Sequence, residues 1–109
     1  MEFKEIKETV KGINFEELRN DSDVYLEVVI LRKDLAHLTS SLTKYFGLPA
    51  WPSKNKLTPK MEESIADFGG VMAGQTLYFN SDATQVIFAM LWPWQDRQHI
   101  TMKMVLKKQ

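Results

Sequence analysis

The chain of 109 residues contains no cysteine and only two histidines. The absence of cysteine excludes a disulfide scaffold, a thiol nucleophile and every metal site built from cysteine ligands. The histidines, His37 and His99, have no second histidine or carboxylate at a ligand spacing such as i+4. Because a structural or catalytic metal needs three or four ligands, we expect neither a metal nor a cofactor.

Net charge and long apolar runs are missing too. The 14 basic and 14 acidic residues cancel, so no overall field attracts nucleic acid or acidic lipid. The longest apolar run, residues 86–92, is far shorter than the roughly 20 residues that span a bilayer. Charges also interrupt Met1 to Val10, where a signal peptide would be apolar. We therefore expect a soluble cytoplasmic protein that binds neither membrane nor nucleic acid.

Three strand-like runs fill the last third of the sequence. The middle run, Val86 to Trp92, is apolar at every position, so neither of its faces suits water. The runs on either side alternate with more polar residues, and their apolar positions are Leu77, Phe79, Ile100, Met102, Met104 and Leu106. This pattern predicts a three-stranded meander over 75–107 whose central strand is covered on both faces.

Residues 24–46 allow two interpretations. Their apolar positions follow a spacing that suits one long helix, but residues 24–31 are rich in valine, isoleucine and tyrosine, which favour a pleated sheet. We favour a strand at 24–31 followed by a helix at 34–46, which Gly47 ends. The single long helix remains the alternative.

The other helix signals are local. Thr58 and Pro59 are typical of a helix start, and the predicted helix at 58–68 ends at Gly69. In the N-terminal segment, Phe3, Ile6 and Val10 lie on one helical face before Gly12. A short helical turn capped by Asn14 is expected next.

Together these elements predict one α+β domain over residues 1–109. It has a four-stranded, mostly antiparallel sheet, made of the strand at 24–31 and the meander at 75–107. The helices at 34–46 and 58–68 pack on one face of that sheet, and residues 1–20 form a helical or loosely packed N-terminal segment.

The predicted register leaves one sheet face without a cover. If Val86, Phe88, Met90 and Trp92 share the inner face with Ile100 to Leu106, the outer face carries Ile87, Ala89, Leu91 and Lys103. Leaving such apolar side chains in water would cost several kcal/mol at about 25 cal/mol per Å². We expect the N-terminal segment, a second copy of the chain, or another partner or ligand to cover them.

One cluster has the composition of a binding site. Trp92-Pro93-Trp94 is followed closely by Arg97 and His99, and tryptophan and arginine concentrate binding energy at interfaces. The residues that we take as candidates for ligand or partner binding are Trp94, Arg97, His99, Tyr78 and Trp51.

No set of residues in the sequence forms a catalytic constellation. The glycines at 69, 70 and 74 follow a helix and precede a strand, which is the wrong order for a phosphate-binding loop. The leading hypothesis is therefore a non-enzymatic interaction domain. It would bind a protein partner or itself, as a homodimer, through the outer sheet face or the Trp92-Pro93-Trp94 hairpin. The alternative is a small-molecule-binding protein or enzyme with a pocket near that hairpin.

Overall fold

Five antiparallel strands form a single sheet in the order β1-β2-β5-β4-β3. The computed structural model describes all residues from Met1 to Gln109. Its elements, in chain order, are α1 (Phe3–Lys11), β1 (Glu17–Asp21), β2 (Tyr25–Leu31), α2 (Leu35–Phe46), α3 (Pro59–Ile65), β3 (Thr76–Ser81), β4 (Gln85–Pro93) and β5 (His99–Lys108). The α+β class, the strand that precedes α2, and the C-terminal meander are as predicted.

The sheet has a fifth strand where we expected a helical turn. Every residue of β1 is exposed, so this strand lacks the apolar alternation by which strands are found in a sequence. It exists because its backbone pairs with β2, from Glu17 opposite Val29 to Asp21 opposite Leu26, with an irregularity between Leu18 and Asn20. The prediction of four strands was wrong for this reason.

The predicted register was right between β3 and β4 and wrong between β4 and β5. Leu77 pairs with Met90, as expected. Between β4 and β5, however, Ala89 pairs with Met104, and Phe88 pairs with Val105. Because β4 is apolar on both faces, either register would bury a full set of apolar side chains. The sequence of β4 therefore does not distinguish the two registers.

The shifted register sorts the core into two clusters, one on each face. On the α1/α2 face, α1 and α2 cover Ile87, Ala89 and Leu91 together with those apolar residues of β2 and β5 that face the same way. On the α3 face, Ile65 of α3 packs with Phe88, and the loop that contains Trp51 packs beside them. The two predicted helices thus lie on opposite faces, which corrects the expectation that they share one.

The N-terminal segment forms a regular helix that is firmly attached. Phe3, Ile6 and Val10 are buried in the α1/α2 core, so the segment provides part of the missing cover. Lys7 forms an ion pair with Asp21 of β1 at 2.9 Å, and the hydroxyls of Thr9 and Tyr45 lie 2.8 Å apart. These polar contacts tie α1 to both the edge strand and α2.

Candidate functional site

The five residues predicted to bind a ligand or partner do not come together. Tyr78 is only 2% exposed and lies on the α1/α2 face, where its ring is 5.9 Å from that of Phe46. Trp51 lies on the α3 side and pairs with Leu77 of the edge strand β3. Trp94 and His99 flank the turn between β4 and β5, and Arg97 lies within it. The pocket expected between these side chains is therefore not formed.

The candidates for an outer-face interface are likewise not available as a surface. Ile87 and Ala89 are fully buried, and Leu91 is 3% exposed beneath α1 and α2. Lys103, which we expected beside them, lies on the α3 face, where its ammonium contacts Trp92. A second copy of the chain cannot reach the three apolar residues without displacing the helices.

Part of the α3 face is lined by charged and aromatic side chains instead of a helix. The cover that α3 provides ends near Phe68, whose ring lies 6.3 Å from that of Tyr25. Beyond it, side chains of β1, β2, β5 and the end of β4 lie over the sheet themselves. We call this surface the open face, and it consists of Arg19, Glu27, Trp92, Trp94, His99 and Lys103.

Trp94 is the most exposed aromatic residue of the open face and is held on three sides. Its indole N–H donates to Oγ1 of Thr101 at 2.8 Å, and its ring stacks on His99 with 4.7 Å between centroids. The Arg19 guanidinium lies 5.5 Å from the ring centroid. With 37% of its surface still exposed, Trp94 is a rigid aromatic residue that faces solvent.

Arg19 and two acidic residues form a group of charges beside this tryptophan. Arg19 donates from Nε to Glu17 at 2.8 Å and lies 3.7 Å from Glu27 through Nη1. Glu27 accepts a hydrogen bond of 2.6 Å from the hydroxyl of Tyr25. Burial of that hydroxyl, together with the bond to Glu27, raises the pKa of Tyr25 well above its usual value. The hydroxyl therefore stays protonated and keeps Glu27 in place.

Lys103 is the other cation of the open face. Its Nζ lies 3.9 Å from the centroid of the Trp92 ring and 5.9 Å from that of Phe68. It forms no ion pair with a carboxylate, although Glu27 is its cross-strand neighbour, and its ammonium lies against aromatic faces. The indole N–H of Trp92 is buried and has no hydrogen-bond partner.

The hairpin next to Trp94 is organised by Asp96. Its carboxylate accepts hydrogen bonds from the backbone N–H groups of Gln98 and His99 at 2.8 and 3.0 Å, and Nδ1 of His99 lies 2.5 Å away. The bond from Gln98, followed by the His99 ring, lowers the pKa of Asp96 to about 2. Arg97 adopts a left-handed backbone conformation at φ 61° in the same turn. This carboxylate supports the turn and the orientation of His99.

Parts of the open face were missed by the sequence analysis. Arg19 was missed because β1 carries no apolar alternation. The contacts of Lys103 with Trp92 and of Thr101 with Trp94 were missed because the register between β4 and β5 was set one residue off. Trp94 could be found because a tryptophan beside a hairpin has little core to pack into. His99 could be found because it follows Trp94 closely in the sequence.

No three His, Asp or Glu side chains lie close enough together to hold a metal ion. None of the helices has the length and apolar character needed to cross a membrane. Comparison with family models, curated proteins and solved structures gives no match to this chain.

Proposed function

We propose that the chain is a non-enzymatic interaction domain that binds a protein partner through the open face. The observation that carries the proposal is the state of Trp94, which is exposed yet fixed by Thr101, His99 and Arg19. An aromatic side chain that is already ordered loses little conformational entropy when a partner covers it. Tryptophan and arginine are also the residues that dominate binding energy at interfaces.

The charges of the open face favour a protein over other partners. The basic residues Arg19 and Lys103 lie beside acidic ones, with Glu27 in the open face and Glu17 and Asp96 in contact with it, whereas a surface for nucleic acid would be uniformly basic. None of the cavities is lined by Arg19, Trp94 or Lys103, which argues against an enclosed small-molecule site here. The pair of Asp96 and His99 has no serine or cysteine beside it in the hydrogen-bond network, so nucleophilic catalysis lacks support.

The partner we propose is a different protein, and the compartment we propose is the cytoplasm. A second copy is not favoured because Ile87, Ala89 and Leu91 are already covered within the chain. The cytoplasm is supported by the absence of cysteine, which a reducing environment makes unnecessary for stability.

The test compares three forms of the chain as bait in quantitative affinity purification from cells that express it. Trp94→Ala removes the exposed indole, while Phe15→Ala is the matched control, because Phe15 is 38% exposed and Trp94 is 37% exposed. We expect to find a protein that both the native chain and Phe15→Ala retain. Trp94→Ala should retain about tenfold less of it, which corresponds to a loss of about 1.4 kcal/mol in binding free energy. Titration with that purified protein then measures the dissociation constant directly.

Two outcomes would contradict the proposal. Equal retention of every captured protein by Trp94→Ala and the native chain would exclude the open face as the binding surface. A small molecule that raises the melting temperature of the native chain, but not that of Trp94→Ala, would favour the rival class of small-molecule binder.

A further inference from the structure

A groove beside α3 shares no residue with the open face. It has a volume of about 540 Å³ and is lined by Trp51, Leu57, Glu62, Ile65, Ala66, Gly69, Gly70 and Val71. Among these residues only Ile65 is buried, so the groove is open to solvent along its walls. A small ligand usually has most of its surface buried by its pocket. An open groove is better suited to a segment of polypeptide.

The walls of the groove are apolar and held in place. Trp51 accepts a backbone hydrogen bond from Leu77 at 2.9 Å, and its indole N–H donates to the carbonyl of Met72 at 3.3 Å. Trp51, Leu57 and Val71 line the groove and are only partly buried, so their side chains leave apolar surface open to a ligand. A contiguous apolar surface of this kind is typical of an interaction site.

Unused backbone groups lie along the groove between α3 and β3. The carbonyls of Gly69 and Gly70, and both the N–H and the C=O of Val71, form no backbone–backbone hydrogen bond. Gly69 and Gly70 have positive φ values of 81° and 75°, and a Cβ atom at either position would meet open space. These three carbonyls and one N–H are free to exchange hydrogen bonds with a bound peptide, whose main chain supplies matching donors and acceptors.

Glu62 is the only charged residue that lines the groove. Its carboxylate forms no ion pair within the chain. A cation on the bound segment would complement this charge, whereas a carboxylate would be repelled.

We propose that this groove binds an extended segment of a partner protein that carries apolar side chains on either side of a lysine or arginine. The apolar walls contact the flanking side chains, the backbone of Gly69 to Val71 pairs with the main chain, and Glu62 selects the cation. This site does not depend on the open face, so either proposal can fail without the other.

The probe is a blocked peptide, acetyl-Leu-Val-Lys-Val-Leu-amide, titrated into the ¹⁵N-labelled full chain. The comparison peptide has glutamate at the central position. We expect the lysine peptide to shift the amide signals of Gly69, Gly70 and Val71 and the indole signal of Trp51. We expect the glutamate peptide to bind about tenfold more weakly, because its charge meets Glu62.

Charge reversal on α3 provides the matched controls. Glu62→Lys should weaken binding of the lysine peptide about tenfold and strengthen binding of the glutamate peptide. Glu63→Lys makes the same change one residue away and outside the groove, so it should alter both affinities less than about twofold. Spectra of the free variants show whether each is folded.

Three results would overturn the proposal. The first is the absence of shifts at the groove with millimolar lysine peptide. The second is equal affinity for both peptides in every variant. The third is a small apolar compound such as hexanol shifting the groove signals when neither peptide does, because the site would then accept small molecules instead of a peptide.

Discussion

Asp96 shows how a single side chain can define a turn. Its carboxylate accepts two backbone hydrogen bonds and lies against the ring of His99. These interactions favour the ionised form, which is why the pKa of Asp96 falls to about 2. The same carboxylate supports the ring on which Trp94 stacks, so the stability of the turn and the geometry of the open face depend on one ionisation.

We expect Asp96→Asn to reduce the dependence of stability on pH at acid values. The folded-state pKa of Asp96 lies below the roughly 3.9 of an unfolded aspartate. Its stabilising contribution is therefore complete above about pH 4 and is lost as the pH falls towards 2. Urea unfolding of the native chain and the variant between pH 2 and 7 should show a difference near neutrality that shrinks as both reach pH 2.

Asp23→Asn is the control for that measurement. Asp23 is exposed and takes part in no hydrogen bond or ion pair of the structure, so its removal should leave the acid limb unchanged. A constant difference between Asp96→Asn and the native chain at every pH would show that the carboxylate charge does not stabilise the turn.

The N-terminal helix α1 is an integral part of the core. Ile6 is fully buried, and Phe3 and Val10 are nearly so, against the face that holds Ile87 and Leu91. The helix therefore buries the apolar surface of β4 that α2 does not cover. Its attachment through Lys7 and Asp21 adds a polar contact to the edge strand.

Truncating Ile6 to alanine should cost about 2–4 kcal/mol of unfolding free energy, as expected for a large aliphatic side chain removed from a packed core. Lys4→Ala, on the exposed side of the same helix, should change it by less than about 0.5 kcal/mol. Urea denaturation followed by tryptophan fluorescence measures both. Similar small effects from the two variants would mean that α1 is only loosely attached.

The elements differ in how well their sequences predict them. α2 and α3 were found because apolar residues recur at helical spacing and because Gly47 and the Thr58-Pro59 pair mark ends. β1 could not be found, since its five residues are all exposed and only its backbone pairing with β2 defines it. Because β1 was not predicted, Arg19 could not be assigned to the sheet. Its contact with Trp94, which is far away in the sequence, could not be predicted either.

The register of β4 shows a second limit of sequence patterns. Ile87 and Phe88 are equally apolar and equally buried, so hydrophobicity does not say which belongs to which face. The choice depends on the turn at Asp96 and on the pairing of β5 with β2, where Leu26 lies opposite Met104. Tyr78 lies beside Ala89 on the face that the β3–β4 register predicts, and there it packs against Phe46 of α2, away from the hairpin.

Ile87, Ala89 and Leu91 are covered within the chain, which predicts a monomer. The accessible surface of the single chain is 6530 Å², near the roughly 6,200 Å² expected for a compact fold of 12.7 kDa. Size-exclusion chromatography with light scattering at high micromolar concentration should give the mass of one chain. A stable dimer would contradict this expectation and would place a self-interface on the groove or the open face.

The sheet order has a consequence for how the chain folds. β5 is the last strand in the sequence, yet it is the central strand of the sheet, between β2 and β4. Until β5 is synthesised, β1-β2 and β3-β4 are two separate hairpins, and each leaves an unpaired edge. Because their union requires contacts between distant parts of the chain, we expect the complete sheet to form later than either hairpin. Nascent chains that lack β5 therefore expose two edges on which other strands can aggregate.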